Sequence, residues 1–190
     1  MKKLIAIQVS LEANTTVVYP GSPIRIRGIV WDQHGIVVTE GKAILRLTRG
    51  DKKLKEVTIS IREGMFEAVI NSPITPARYT IYAIVIPASP KYASNMSNRI
   101  SFIVRPYTTQ IAVMRVTSGI YPGQVLRVSG LVNSTLIPTG KITLRLGTLS
   151  AIALLRNGAF NASLRTPYNM RPGSYELVIA YTPDSPMFAS

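Results

Sequence analysis

The sequence predicts an all-β chain built as two tandem antiparallel β-sandwiches, and three observations carry that prediction. Apolar and polar residues alternate in short runs, turn-forming residues punctuate those runs, and the whole pattern occurs twice. Of the 190 residues, 46% are hydrophobic, enough to fill a core in each of two domains. Gly and Pro number 13 each, and between them Ile, Val, Leu and Thr dominate. That mixture favours short strands joined by tight turns. No stretch offers an apolar stripe of helical period.

The duplication orders the elements. Residues 8–28 match 110–130 without a gap, so that Tyr19-Pro20-Gly21 faces Tyr121-Pro122-Gly123 and Gly28 faces Gly130. Downstream, Gly41-Lys42-Ala43-Ile44-Leu45-Arg46-Leu47 corresponds to Gly140-Lys141-Ile142-Thr143-Leu144-Arg145-Leu146. Gly64-Met65-Phe66 corresponds to Gly158-Ala159-Phe160, Ala77-Arg78-Tyr79 to Gly173-Ser174-Tyr175, and Pro90–Ser94 to Pro186–Ser190. These correspondences divide the chain into domains at 1–105 and 106–190.

Within each copy the period is two, the signature of half-buried strands. Ile24, Ile26, Gly28 and Val30 share one face of a second strand, as do Leu126, Val128, Gly130 and Val132, with arginines alternating outward. A third strand places Ile142, Leu144 and Leu146 inward. A fifth does so with Phe66, Ala68 and Ile70, matched by Phe160, Ala162 and Leu164. A sixth uses Tyr79, Ile81, Ala83 and Val85, matched by Tyr175, Leu177, Ile179 and Tyr181. Tyr-Pro-Gly, Asp32-Gln33-His34-Gly35 and Arg49-Gly50-Asp51 supply turns between the runs. Seven strands are expected per copy. The short linker Arg105-Pro106-Tyr107 is expected to limit how far the domains swing.

At this level the chain resembles the bacterial and archaeal immunoglobulin-like repeats found in tandem on surface proteins. The resemblance rests on Tyr-Pro-Gly before the second strand, the Asp-x-x-Gly turn leading to Gly41, Gly-x-Phe before the fifth strand, and the tyrosine that begins the sixth. It implies immunoglobulin-like sandwiches, in which Tyr79 and Tyr175 bond back to the backbone. It also implies an extracellular or cell-surface structural or adhesive module (a spacer, surface-layer or filament component) and no catalytic residue. The partners implied are neighbouring domains of the same protein or other surface proteins. The second copy departs from the pattern with Asn133-Ser134-Thr135-Leu136 in place of the Asp-x-x-Gly turn.

Composition narrows the chemistry. Cysteine is absent, which removes disulfides, zinc-thiolate sites and cysteine nucleophiles. No run of 18 apolar residues occurs, so no transmembrane helix is expected. Met1-Lys2-Lys3-Leu4-Ile5-Ala6-Ile7 has the basic start of an export signal, but Gln8 and Glu12 interrupt it and it reads as a strand; any signal or anchor is expected outside this chain. The 22 basic against 9 acidic residues give a net charge of +13, which favours polyanions such as acidic glycans. Most of these charges are spread singly on outward positions. No specific nucleic-acid site and no cofactor is expected.

Several residues are candidate sites. Asn14, Asn95, Asn133 and Asn161 each begin an Asn-x-Ser/Thr sequon, the first three in predicted loops and the last outward on a strand, where a glycan would spare the core. Arg49, Lys52, Lys53 and Lys55 form the tightest basic cluster and the candidate polyanion contact, without interleaved aromatics to stack on bases. Arg49-Gly50-Asp51 also spells an adhesion tripeptide at a hairpin tip. His34, the only histidine, sits in a turn with no triad partners in prospect. The second copy holds only Glu176 and Asp184, too few for a calcium cage or a glycosidase pair. Trp31, Tyr82 and Tyr92 are candidates for a sugar-stacking platform, which gives an alternative function: a carbohydrate- or polyanion-binding accessory module of a secreted enzyme.

One asymmetry stands out. Asn98–Val104 reads as a seventh strand of the first copy, whereas the second copy reaches Ser190, the equivalent of Ser94, with its last strand lacking. An uncovered sheet edge is therefore expected there. Two explanations are open: the chain is a segment of a longer array, or Lys3–Ile7, which extends beyond the aligned repeat, is a candidate donor strand for head-to-tail self-association.

Overall fold

The computed structural model describes residues 4–190, and the chain divides between Arg105 and Pro106 into two compact units. Both are all-β sandwiches of immunoglobulin-like type, and among the described residues there is no helix.

In the first unit, β1 (Ile7–Ala13), β3 (Pro23–Asp32) and β6 (Met65–Asn71) make one antiparallel layer in the order β1-β3-β6. The second layer runs β5 (Lys52–Arg62), β4 (Glu40–Arg49), β7 (Ala77–Pro87), β9 (Ile100–Val104) and β2 (Val17–Val18). The short β8 (Asn95–Met96) pairs with β7. A single residue pair, Arg62 with Met65, joins β5 to β6, so the continuous hydrogen-bonded path folds over at that hairpin into two faces. Glu63 and Gly64 turn it with φ of 49° and 72°, the positive pair of a two-residue hairpin loop. Two small strands, β2 and β8, raise the first unit above the seven strands expected. Each is only two residues long, too short to leave an alternating pattern.

The inward sets fall where period two puts them. Ile24, Ile26 and Val30 of β3 meet Ala43, Leu45 and Leu47 of β4 and Tyr79, Ile81, Ala83 and Val85 of β7, all buried. The exception in the β3 row is Gly28, over which the Phe66 ring lies; a Cβ there would fall 2.0 Å from the ring. The glycine is thus a socket for its cross-strand partner, Phe66.

The second unit repeats the plan with β10 (Gln110–Val116), β11 (Val125–Asn133) and β14 (Ala159–Arg165) in one layer. The other holds β13 (Leu149–Leu154), β12 (Gly140–Leu146) and β15 (Leu177–Pro183). Gly130 again receives its aromatic partner, Phe160. Gly41 and Gly140 open the third strand of each unit at φ of 153° and 144°, where a Cβ would meet the carbonyl oxygens of Ile86 at 2.7 Å and Thr182 at 2.3 Å. Leu126, Val128, Val132, Ile142, Leu144, Phe160, Leu164 and Tyr181 fill the core. Among the described residues nothing corresponds to β9.

The start of the chain corrects the donor-strand expectation. Ile5 bridges Tyr92 in parallel, donating its N–H to Lys91 O at 2.8 Å and accepting from Ala93 N–H at 2.9 Å. Tyr107 makes the same pair of bonds in the second unit, with Met187 O at 2.8 Å and Ala189 N–H at 2.9 Å. Ile5 therefore has a counterpart, Tyr107, and is engaged in its own sandwich, as is Ile7, which is buried. Lys3, with Met1 and Lys2, lies outside the described residues.

Candidate functional site

The basic cluster sits on the β4–β5 hairpin. Gly50 and Asp51 form its two-residue loop, Gly50 at φ 57°, and the register pairs Arg49 with Lys52 and Thr48 with Lys53. Arg49, Lys52, Lys53 and Lys55 are all exposed, so the hairpin gathers four cations at one tip and holds Arg49-Gly50-Asp51 outward. Just behind the tip, Glu56 accepts from Arg46 Nε at 2.7 Å and from Lys53 Nζ at 3.3 Å. The Arg46 bond, then the Lys53 bond, hold the Glu56 carboxyl below the usual carboxylate range against the opposing effect of desolvation. The same contact, helped by Tyr82, raises Arg46 further. One carboxylate thus tethers Arg46 and Lys53, and among the described residues Arg49, Lys52 and Lys55 form no salt bridge.

The four sequons differ in what their amides do. Asn14, just past β1, is exposed, and its Oδ1 accepts from Arg25 N–H at 2.9 Å. Asn133 closes β11 and is exposed. Asn161 points outward between buried Phe160 and Ala162, opening on a shallow polar groove of ≈ 350 Å³ with Arg115 and Arg127. Asn95 lies in β8 rather than in a loop, and its Nδ2, the nitrogen a glycan would take, donates to Ile7 O at 2.6 Å. Its sequon serine, Ser97, is buried and accepts from Ala83 N–H at 2.8 Å. The Asn95 sequon is thereby explained by strand pairing. The sequon rule sees spacing and cannot see an amide already spent on the backbone.

Asp32 is the residue whose role sequence reasoning left incomplete. Buried at the end of β3, its Oδ1 accepts from His34 N–H at 2.8 Å and Ile36 N–H at 3.0 Å, closing the Asp-x-x-Gly turn. Burial alone would raise its carboxyl; the Ile36 and His34 N–H groups outweigh that, with help from the nearby His34 and Lys91 charges, and hold it below the ordinary aspartate value. His34 itself is an exposed turn residue, with Nε2 3.1 Å from Gln33 Nε2.

The aromatic platform does not assemble. Trp31 is on the outer face of the β1-β3-β6 layer, its Nε1 donating to Gln8 Oε1 at 2.8 Å. Tyr82 is on β7 in the opposite layer, with Arg99 over its ring at 5.3 Å. Tyr92 packs against the core beside the Ile5 bridge. Alternation on strands of different layers separates the first two, which sequence spacing could not reveal. The tyrosine expectation, in contrast, is met at both positions: Tyr79 Oη donates to Thr75 O at 2.6 Å and Tyr175 Oη to Arg171 O at 2.8 Å.

No family model matches the chain, and no curated protein matches it. Solved structures do. Trypsin-activated alpha-2-macroglobulin from Escherichia coli is 12% identical, with 92% of this chain and 13% of that chain covered and a TM-score of 0.40. The Escherichia coli adhesin FdeC is 10% identical over 96% of this chain and 64% of that one, with a TM-score of 0.39. The Yersinia pseudotuberculosis adhesin InvE is 13% identical over 91% and 58%, with a TM-score of 0.41. The chain spans only 13% to 20% of the macroglobulin structures it matches. The immunoglobulin-like assignment rests on the strand pairing, the two-layer cores and the tyrosine bonds of the units themselves.

Proposed function

We propose that the chain is a non-catalytic structural or adhesive module working outside the cell, as a spacer or as part of a surface assembly. The observation that carries this reading is that the residues shared by the two copies serve the fold: Gly28 and Gly130 seat Phe66 and Phe160, Gly41 and Gly140 meet the neighbouring strand, and Tyr79 and Tyr175 tie down a loop. What is repeated is a scaffold, and repetition of a scaffold supplies length and surface. Labelling intact source cells with an antibody to this chain tests the location. Signal before permeabilisation is expected; signal only after permeabilisation would refute it.

The hairpin favours a second reading, contact with acidic glycans, because it concentrates exposed Arg49, Lys52, Lys53 and Lys55. Retention on a sulfated-glycan column should weaken with salt and fall by at least half on changing Lys52, Lys53 and Lys55 to Glu. Unchanged retention of the triple variant would remove this reading. Asn14, Asn133 and Asn161 are the sequons we propose as glycan-bearing, with Asn95 the least suited.

A further inference from the structure

The outer face of the β10-β11-β14 layer carries a different charge pattern from its counterpart in the first unit. There a row across β1, β3 and β6 sets Glu12 opposite Arg27 and Arg27 opposite Glu67. Glu67 also meets Arg25 Nε, two residues along β3, at 3.3 Å. The arginines of that face stand among carboxylates.

In the second unit the same row is Arg115, Ser129 and Asn161. Two changes produce it. Asn161 stands in the place of Glu67, opposite Ser129. The register of β10 on β11 also shifts between Val113 and Arg115. Leu11 and Val113 hold equivalent places, opposite Gly28 and Gly130, so an unbroken ladder would set Met114 opposite Ser129. The bulge sets Arg115 there instead, in the place of Glu12, although the ungapped repeat aligns Arg115 with Ala13. Arg127, the counterpart of Arg25, lies diagonal to Arg115 across the strand pair, at about 7–8 Å, a spacing that two long side chains span together.

Both arginines are exposed, and among the described residues neither forms a salt bridge. The acids of this unit, Glu176 and Asp184, flank β15 in the other layer. Arg115 and Arg127 line the polar groove of ≈ 350 Å³ together with Thr117, Ser129, Asn161 and Ser163, and no aromatic residue lines it.

We infer that this groove binds a carboxylate-bearing sugar, a uronic acid within an acidic glycan. The guanidinium forks match a planar carboxylate, while the hydroxyls of Ser129 and Ser163 and the amide of Asn161 donate to and accept from ring hydroxyls. The volume falls at the lower end of the range for small-ligand pockets, about 300–1,000 Å³, which suits a short stretch of sugar. Without an aromatic platform a nucleic-acid base has nothing to stack on, so charge and hydrogen bonds select the ligand. The site belongs to the second unit and does not depend on the β4–β5 hairpin. A glycan attached to Asn161 would occupy the same groove, so the two uses exclude one another.

The test uses the full chain, isotope-labelled and made in a host without N-glycosylation, with tetragalacturonate as the probe. Amide NMR shifts on titration should saturate and centre on Arg115, Arg127, Ser129, Asn161 and Ser163. Asn161→Glu, which restores at an exposed position the acid found at Glu67, should weaken binding at least tenfold, as should Arg115→Gln combined with Arg127→Gln. Unperturbed spectra away from the groove check that these variants fold. Changing Lys52, Lys53 and Lys55 to Glu should leave the groove shifts in place, which separates this site from the hairpin. Undiminished binding by the Asn161→Glu chain, equal binding of the methyl-esterified oligosaccharide, or acetate binding as tightly would each overturn the inference. Shifts confined to the hairpin, or no binding at all, would do the same.

Discussion

In the first unit β7 runs for 11 residues from Ala77 to Pro87, whereas its counterpart β15 runs for 7 from Leu177 to Pro183. The sequences are alike along this stretch, with a tyrosine, apolar alternation and a closing proline in both. What differs is the neighbour. β4 pairs β7 only from Thr80 onward, and Ala77–Tyr79 are held by β9. In the second unit β12 likewise reaches only Leu177, and among the described residues no strand pairs with those that precede it. Strand formation at these positions is a property of the sheet and not of local propensity.

The comparison can be broken most forcefully at Phe102. Phe102→Ala should destabilise the first unit by about 3–5 kcal/mol, because it opens a cavity over Tyr79 in a buried site. The single Trp lies in the first unit, so fluorescence during denaturant unfolding reports that unit, while the transition of the second should not move. Next come the paired glycines. Gly28→Ala and Gly130→Ala should each cost about 1–3 kcal/mol by overpacking. The second should cost more, since its Cβ would meet the fixed Ala112 carbonyl oxygen at 2.3 Å as well as the Phe160 ring, whereas at Gly28 the three nearest atoms all belong to the Phe66 side chain.

A smaller difference is expected at the tyrosines. Tyr79→Phe removes a bond made by a buried ring and should cost about 1 kcal/mol. Tyr175→Phe, at an exposed ring whose partner water can reach, should cost clearly less by the same unfolding measurement. The smallest contrast is in acid. Because the Asp32 carboxyl is held below its unfolded value, its contribution is present above the ordinary aspartate range and is lost as pH falls through the folded value. The first unit should therefore weaken below about pH 4. Asp32→Asn should flatten that dependence, and the second unit, with Asn133-Ser134-Thr135-Leu136 there, should lack this component.

The sandwich class was legible because its signals are local and doubled. Alternation around Gly28 and Gly130, the Gly-x-Phe entries at Phe66 and Phe160, and the tyrosines at 79 and 175 each have a physical cause that acts within a few residues or one strand pair. The absence within residues 106–190 of a counterpart to Asn98–Val104 was legible too, and among the described residues no strand of the second unit takes the place of β9. What escaped were pairings between segments distant in sequence. Ile5 with Tyr92 and Tyr107 with Phe188 are single bridges; the repeat alignment set Tyr92 opposite Phe188 but began at Gln8 and Gln110, short of Ile5 and Tyr107. The amide of Asn95, bonded to Ile7 O, and the separation of Trp31 from Tyr82 depend on three-dimensional placement that motif and spacing do not encode.

The central claim is that both units are one sandwich and that, among the described residues, no strand of the second unit stands in the place of β9. Amide hydrogen exchange of residues 1–190 compares the two directly, at Arg78–Ile81 beside β9 and at Ser174–Leu177 leading into β15. The account predicts strong protection in the first stretch and exchange near the unprotected rate at Ser174–Glu176 in the second. Equal protection of the two stretches would contradict it.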